Sequence, residues 1–300
     1  MMHMSESHSN LRSTVGLVAG WGQYPVVVAE TLQRQGCRVV CLGIKDHASP
    51  LLREICDDYA EVGLAKLGAA IRYFRRQEVT RATMAGKIHK VLLFQRFFLL
   101  KNLPDWHAWR VFSPHLIFHR KDSRDDTLLN LVVTAFAQVG ITFAPATDFA
   151  PELLVKTGIL SRIRPTASQW KDIEYGWQAA KELGRFDIGQ SVAVKGGNVL
   201  AVEAIEGTDK CIRRAGELCP VGGFALIKVA KPQQDMRFDV PTIGIGTLES
   251  MVAAGGSVLA IEADKTILID EPTVIEFANR HGIAIVAIVN GQGLLTREVA

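Results

Sequence analysis

The chain has 300 residues, enough for two domains, because single hydrophobic cores usually stop growing at about 250 to 300 residues. Hydrophobic residues make up 48% of the chain and charged residues 22%, a balance typical of globular proteins and unlike that of disordered chains. The net charge of +3 is too small to indicate a nucleic-acid partner, and no apolar run reaches the roughly 18 residues of a membrane span.

The five cysteines indicate free thiols in a reducing compartment. No two of them are spaced as Cys-x-x-Cys, so the sequence indicates neither a zinc knuckle nor a redox pair. The opening residues MMHMSESHSN are polar and lack the apolar core of a signal peptide. We therefore expect a cytoplasmic protein with a loose tail over residues 1–10.

From Val15 onward, short apolar runs alternate with amphipathic segments. The runs VGLVAG, RVVCLGI and ATMAGKI are typical of strands, and the segments VVVAETLQRQG and LGAAIRYFRRQEV between them are typical of helices. This βαβαβ order favours a parallel sheet with right-handed crossovers, and a further helix over DDTLLNLVVTAFAQVG ends at Gly140. The sequence therefore predicts a Rossmann-like N-terminal α/β domain over residues 11–148.

The second half of the chain predicts another α/β or α+β domain over residues 168–300. Residues 149–167, which are broken by glycine and proline, are expected to link the two domains. After a helix that begins near Ser168, the residues Gly196-Gly197-Asn198 separate two alternating apolar segments, which indicates a hairpin. The strand FALIKVAKP and the helix TLESMVAAGG follow, then the paired strands SVLAIEAD and KTILID, the helix EPTVIEFANRHG and the strand IAIVAIV.

The stretch VGLVAGWGQYP raises the question of a dinucleotide site. A dinucleotide fingerprint needs G-x-G-x-x-G between a strand and a helix, with an acidic residue about 20 residues later. Gly20 and Gly22 match, but Pro25 occupies the third glycine position and Asp46 is offset from the ribose-binding position. Three interpretations stay open: a nicotinamide-dependent oxidoreductase, another phosphate-bearing ligand at the helix N-terminus, or a tight turn without a ligand.

Basic residues concentrate between Arg72 and Arg124, where twelve lysines and arginines stand against three acidic residues. Within this basic belt, KIHKVLLFQRFFLLKNLPDWHAWRVF interleaves leucines and aromatic residues with cations. Such a mixture suits an anionic membrane surface or a lipid-bearing substrate, although core-facing helices with solvated basic faces would give the same pattern. No RNP-like motif supports RNA binding. A non-catalytic lipid or nucleic-acid binding module is the remaining alternative to an enzyme.

Two polar stretches stand out in the C-terminal half, FDIGQSVAVKGGNVLAVEAIEGTDKCIRRAG and KVAKPQQDMRFDVPTIG. Clustered carboxylates need a cation to neutralise them, and hard oxygen ligands suit Mg²⁺ that bridges to phosphate. One carboxylate could instead act as a general base on water, and exposed salt bridges would explain the same residues without a metal. The candidate metal ligands are Glu203, Glu206, Asp209, Asp235 and Asp239.

The segments GLVAGWGQYP, DIGQSVAVKGGNVLAVEAIEGTD and KPQQDMRFDVPTIG together resemble the LpxI family, UDP-2,3-diacylglucosamine pyrophosphatases of lipid A synthesis. The resemblance implies a Mg²⁺-dependent hydrolase of two linked domains that releases UMP and 2,3-diacylglucosamine 1-phosphate. It implies that Asp239, in RFDVP, is the essential aspartate. It also implies a lipid-linked UDP-sugar as the substrate, no nucleic-acid partner and a peripheral place at the inner face of the inner membrane, and it leaves a homodimer open.

Contacts with the substrate are expected from glycines of the N-terminal turn and from polar residues of the C-terminal stretches. These candidate substrate-binding residues are Gly20, Gly22, Gln190, Thr208, Lys231 and Arg237.

Overall fold

A computed structural model describes residues 12–87, 105–106, 109–110 and 125–289. The chain divides into two compact units between Ala150 and Pro151. The predicted tail, residues 1–10, and much of the basic belt lie outside the described residues. Within the described parts of the chain, no helix combines the length and the apolar character needed to cross a membrane.

The first unit is built on a five-stranded parallel sheet in the order β3-β2-β1-β4-β5. Its strands are β1 (Thr14–Ala19), β2 (Arg38–Ile44), β3 (Asp58–Val62), β4 (Arg81–Ala85) and β5 (Thr142–Phe143). Its helices are α1 (Tyr24–Arg34), α2 (Leu52–Ile55), α3 (Leu67–Arg76), α4 (Asp125–Ala137) and α5 (Ala146–Phe149). The strand order reverses beside β1, as in doubly wound folds, so the predicted Rossmann-like fold is confirmed.

Helix α3 shows how the described part of the basic belt is arranged. Its apolar residues recur at helical spacing, and Ile71 and Phe74 are buried while Arg72, Arg75 and Arg76 are exposed. The Phe74 ring packs against a second ring of the core, that of Phe136, at 5.9 Å between centroids. These cations therefore form a solvated face on a helix whose other face covers the sheet.

The second unit is built on a six-stranded mixed sheet in the order β6-β13-β11-β9-β7-β8, and β10 pairs with β12 in a separate two-stranded sheet. The strands are β6 (Gly158–Ile159), β7 (Ser191–Lys195), β8 (Asn198–Val202), β9 (Phe224–Lys228), β10 (Thr242–Ile243), β11 (Gly256–Glu262), β12 (Ile267–Leu268) and β13 (Ala284–Ile288). The helices are α6 (Ala167–Arg185), α7 (Thr208–Leu218), α8 (Ile245–Ala254) and α9 (Glu271–His281).

Local sequence signals account for several of these boundaries. Thr166 and Gln169 form a capping box at the start of α6, each satisfying a backbone N–H of the other. The predicted hairpin is confirmed, because Gly196 and Gly197 turn β7 into β8 with φ values of 58° and 73°. The Asp172 carboxylate accepts the N–H groups of both glycines, at 3.0 and 2.7 Å.

The predicted pairing of SVLAIEAD with KTILID is wrong. Strand β11 lies between β9 and β13 and runs parallel to both, so neither of its edges is open to β12. Asp264 adopts a φ of 56° in the turn after β11, and β12 pairs instead with β10. Apolar periodicity in the sequence identified a strand here but carried no information about its neighbour.

Residues 151–167, most of the predicted linker, are grouped with the second unit. Within this segment, β6 pairs antiparallel with the edge of β13, and Leu154 forms a bridge with Ile267.

Different helices cover the two faces of the larger sheet. Helix α6 packs on one face through Ile173 and Trp177, and α7, α8 and α9 pack on the other.

Candidate functional site at one end of the second sheet

Polar side chains collect at the end of the second sheet where the parallel strands β9, β11 and β13 finish and β7 begins. Ser191 is opposite Lys228 in the ladder, and the Glu203 N–H donates to the Ser191 carbonyl at 2.8 Å. Since side chains alternate between the faces of a strand, these three residues share the face that carries α7. All three are buried, with Lys228 only 3% exposed.

Thr208, the first residue of α7, connects the two buried charges. Its hydroxyl donates to Glu203 Oε1 at 2.9 Å and accepts from the Lys228 ammonium at 3.3 Å. Lys228 also donates to the Thr242 carbonyl at 3.1 Å. A buried ammonium is costly unless it is paired and hydrogen-bonded, so these contacts explain how Lys228 is accommodated.

Two buried atoms of this cluster have no hydrogen-bond partner among the residues that the structure describes: Glu203 Oε2 and Ser191 Oγ. Gln190 Oε1, next along the chain, is a third such atom. Buried polar atoms are normally paired with protein, water or ligand. The cluster is therefore a place where a bound group could supply the missing partners.

The N-terminus of α7 adds a positive electrostatic contribution at the same place. Gly207 opens this 11-residue helix with a φ of 85°, and the first N–H groups of a helix have no intrahelical acceptor. Burial raises the pKa of the Cys211 thiol on α7 to about 12, and the negative charge of Glu203 adds to that shift. Lys228 and the helix N-terminus together suit an anionic oxygen ligand.

Gly189 is required by the close approach of two backbones in this site. A Cβ atom at this position would lie 2.0 Å from the Glu203 carbonyl oxygen, a distance that side-chain rotation cannot relieve. Sequence reasoning did not select Gly189, Ser191 or Lys228. Lys228 had a visible signal, since it is the single charge in the otherwise apolar strand FALIK.

The loop between β9 and β10, residues 229–241, carries four of the predicted site residues. Arg237 binds Asp235 with Nε donating to Oδ1 at 2.9 Å, and this hydrogen bond is the main reason that the pKa of Asp235 is held below its ordinary value. Lys231 forms an ion pair with Asp187. Asp239 is exposed, and its N–H donates to the Asp235 carbonyl at 3.2 Å.

The candidate metal ligands are distributed over the site rather than gathered at one point. Glu206 pairs with Arg214 at 2.8 Å, and Asp209 is exposed in the first turn of α7. Within the described ranges, no three histidine, cysteine, aspartate or glutamate residues form a group that could hold a metal ion. Mg²⁺ on a diphosphate usually needs only one or two carboxylates, and the unpartnered Glu203 Oε2 fits that role.

The glycine turn of the first unit is closed by backbone hydrogen bonds. Gly20 N–H donates to the Ala85 carbonyl at 2.8 Å, and Trp21 and Lys87 exchange both of their backbone hydrogen bonds. These N–H groups therefore already have acceptors and do not face a pyrophosphate. A Cβ on Gly20 would lie 2.8 Å from the Lys87 carbonyl oxygen, whereas Gly22 has a φ of 105° and open space around it. The geometry favours the interpretation of a tight turn.

Comparison with known proteins places the chain in a family. Residues 14–153 match the LpxI N-terminal domain, and residues 156–286 match the LpxI C-terminal domain. The chain belongs to the LpxI family. The predicted membership is thus confirmed, and the matched LpxI C-terminal domain contains the polar cluster around Thr208.

A curated LpxI relative from Caulobacter vibrioides is named UDP-2,3-diacylglucosamine pyrophosphatase LpxI. It is 31% identical over 283 residues, which cover 91% of this chain and 97% of the relative. A biotin carboxylase complex from Campylobacter jejuni is 13% identical to this chain, with a TM-score of 0.23. The match covers 69% of this chain but only 42% of the carboxylase chain, and it carries no argument about fold or function.

Proposed function

We propose that this protein hydrolyses the pyrophosphate of UDP-2,3-diacylglucosamine to UMP and 2,3-diacylglucosamine 1-phosphate in lipid A synthesis, with Mg²⁺ as cofactor. The observation that carries the proposal is membership of the LpxI family over both domains. A relative that bears the name of this activity is 31% identical over 91% of the chain, which supports it further.

The cluster around Thr208 supplies chemistry that fits a diphosphate. The Lys228 ammonium and the N–H groups at the start of α7 would donate to phosphoryl oxygens, while the Thr208 hydroxyl, which donates to Glu203, holds the two charges in place. Such donors, fixed in place before the reaction, stabilise the negative charge that develops when a phosphoric anhydride is cleaved. Burial strengthens each of these interactions because the local dielectric constant is low.

Asp239 is the residue to which we assign proton transfer. Its carboxylate is exposed, whereas the neighbouring Asp235 carboxylate is held by Arg237. A water oxygen bonds to one phosphorus, the bridging P–O bond breaks, and the proton of the attacking water passes to Asp239. Bound Mg²⁺ would neutralise charge on the phosphoryl oxygens, with Glu203 Oε2 as the first candidate among the chain's ligands.

The lipid part of the substrate would bring the protein to an anionic membrane surface on the cytoplasmic side. Two exposed apolar side chains support this part of the proposal, since both lie near members of the polar cluster in the sequence. Ile205, which is 87% exposed, lies between Glu203 and Thr208, and Phe186, which is 76% exposed, follows α6. Exposed apolar groups of this kind suit an interface with lipid.

The experiment is UMP release from UDP-2,3-diacylglucosamine, measured with Mg²⁺ and with EDTA. We expect Asp239→Asn to lower kcat by about 10² to 10⁴, the usual contribution of a general base. Asp264→Asn is the matched control, because Asp264 is an exposed aspartate paired with Lys156 and should keep the activity of the unmodified protein. Unchanged turnover by folded Asp239→Asn would remove Asp239 from the mechanism, and turnover unaffected by EDTA would remove Mg²⁺.

A further inference from the structure

One side chain joins the two ends of the segment that leads to Asp239. Gln234 Oε1 accepts a hydrogen bond from the Lys231 N–H at 2.7 Å, and Gln234 Nε2 donates to the Asp239 carbonyl at 2.7 Å. The segment between them contains neither helix nor strand, and its backbone hydrogen bonds are local: the Gln234 N–H donates to the Lys231 carbonyl at 3.0 Å, and the Asp239 N–H donates to the Asp235 carbonyl at 3.2 Å. The Gln234 side chain links the start of the segment to its end. The same amide therefore sets the distance between the start of the loop and the predicted catalytic residue.

The start of this loop is itself fixed by a buried ion pair. Ala230 N–H donates to Glu262 Oε2 at 2.8 Å, and the Ala230 carbonyl accepts from the Lys181 ammonium at 2.8 Å. Lys181 and Glu262 also bind each other at 2.7 Å, and the Glu262 side chain is 7% exposed. Since Ala230 is held at both of its backbone groups, Gln234 is attached to a fixed point.

We propose that Gln234 is the positioning residue for Asp239. This inference rests on the proposed function, in which the place of the Asp239 carboxylate decides how well a proton is taken from water. Without the Gln234 donor, the Asp239 carbonyl loses the bond that ties it to the fixed start of the loop. A displacement of about 1 Å in a reacting group can lower the rate about 100-fold.

Two substitutions at Gln234 separate its two hydrogen bonds. Gln234→Glu keeps an acceptor for the Lys231 N–H but has no donor for the Asp239 carbonyl, and Gln234→Met loses both bonds. Gln233→Glu is the matched control, because the Gln233 amide donates to the Gly184 and Arg185 carbonyls of α6. This control introduces the same charge one residue away.

We expect kcat for UMP release to fall about 10- to 100-fold in both Gln234 variants, with KM changed less than about threefold. Gln233→Glu should keep the kcat of the unmodified protein. Hydrogen exchange at the Lys231 amide should stay slow in Gln234→Glu and become fast in Gln234→Met, which reports on the first bond alone.

An unchanged kcat in Gln234→Glu would overturn the proposal, because the bond to Lys231 would then suffice. An equal loss in Gln233→Glu would also overturn it, since added charge would explain the effect. If the unmodified protein releases no UMP, the proposed function fails by itself. Crystal structures of the unmodified protein and Gln234→Glu then decide: a displaced Asp239 supports the positioning role, and an unmoved one refutes it.

Discussion

The two units differ in the kind of polar group that they bury. In the first unit the buried polar residues of the described ranges are three threonines and one histidine. The second unit buries carboxylates and an ammonium group as well: Asp172, Glu203, Lys228 and Glu262. A buried charge costs several kcal/mol unless it is paired, so each of these groups needs a specific partner.

Those partners show what the buried charges do. Asp172 accepts the N–H groups of the hairpin turn, and Glu262 holds the start of the loop that leads to Asp239. Glu203 and Lys228 meet through Thr208. The glycine turn of the first unit is the more conspicuous sequence feature, yet its Gly20 and Trp21 N–H groups donate to backbone carbonyls of the same unit. Buried charge, rather than a familiar motif, therefore distinguishes the second unit, to which we assign the site, from the first.

The strongest test of this comparison removes a buried charge. Glu262→Ala leaves the Lys181 ammonium without its carboxylate partner and the Ala230 N–H without its acceptor, and we expect the free energy of unfolding to fall by about 3 kcal/mol. Glu276→Ala is the control, because Glu276 forms an exposed pair with Arg280 worth at most about 0.5 kcal/mol. Urea unfolding measures the free energy of unfolding of both variants. Equal losses in Glu262→Ala and Glu276→Ala would contradict the importance of buried charge.

A second test concerns the approach of two backbones beside Glu203. Gly189→Ala places a methyl group against the Glu203 carbonyl, so we expect a loss of about 1 to 3 kcal/mol together with slower UMP release. Gly158→Ala, where a Cβ meets nothing within 4 Å, should change stability by less than about 0.5 kcal/mol. Thermal unfolding compares the stability of the two variants, and a turnover assay compares their UMP release. A Gly189→Ala protein with full activity would show that Glu203 tolerates displacement.

The smallest expected effect is a pH dependence of the Asp235 contact. Because the folded pKa of Asp235 is lowered by Arg237, its contribution is present above the ordinary aspartate value of about 3.9 and is lost as the pH falls through the lower folded value. Both side chains are partly exposed, so Asp235→Asn should cost less than about 1 kcal/mol at pH 7.

Urea unfolding from pH 7 to pH 3 measures the difference in the free energy of unfolding between the unmodified protein and Asp235→Asn. This difference should shrink only at the acidic end of the range. The first unit offers a more exposed counterpart, the pair of Arg53 with Glu61. The effect of Glu61→Gln should disappear in about 1 M NaCl, where charges are screened within about 3 Å. A constant difference for Asp235→Asn across the whole pH range would contradict the assignment to Arg237.

The sequence predicted those parts of the fold that depend on local pattern. Apolar runs identified β1, β2 and β4 of the first sheet, whereas the polar strand β3 and the two-residue strand β5 were missed. Glycines at positive φ mark the hairpin at Gly196 and the end of α8 at Gly255. The partner of β12 was missed because periodicity does not tell which edge of a neighbouring strand is free.

The same limit applies to the site. Glu203 and Thr208 were selected from one polar stretch, and the structure joins them directly. Asp235 was selected as a metal ligand, but the turn at 235–237 brings Arg237 onto its carboxylate, a contact that depends on backbone geometry. Lys228 was missed because the residues before and after it in the sequence are apolar, so the pattern indicates only a buried strand. The metal ligands and the role of Asp239 stay predictions.

The short strand β6 has a consequence for dissecting the chain. It covers the outer edge of β13, and without it a row of backbone groups on a buried, apolar strand would be open to strand addition by another molecule. A fragment that begins at Ser168 would lack this protection, whereas one that begins at Pro151 would retain it. The segment that precedes α6 thus protects the second unit from edge-to-edge aggregation, because β6 occupies the edge of β13.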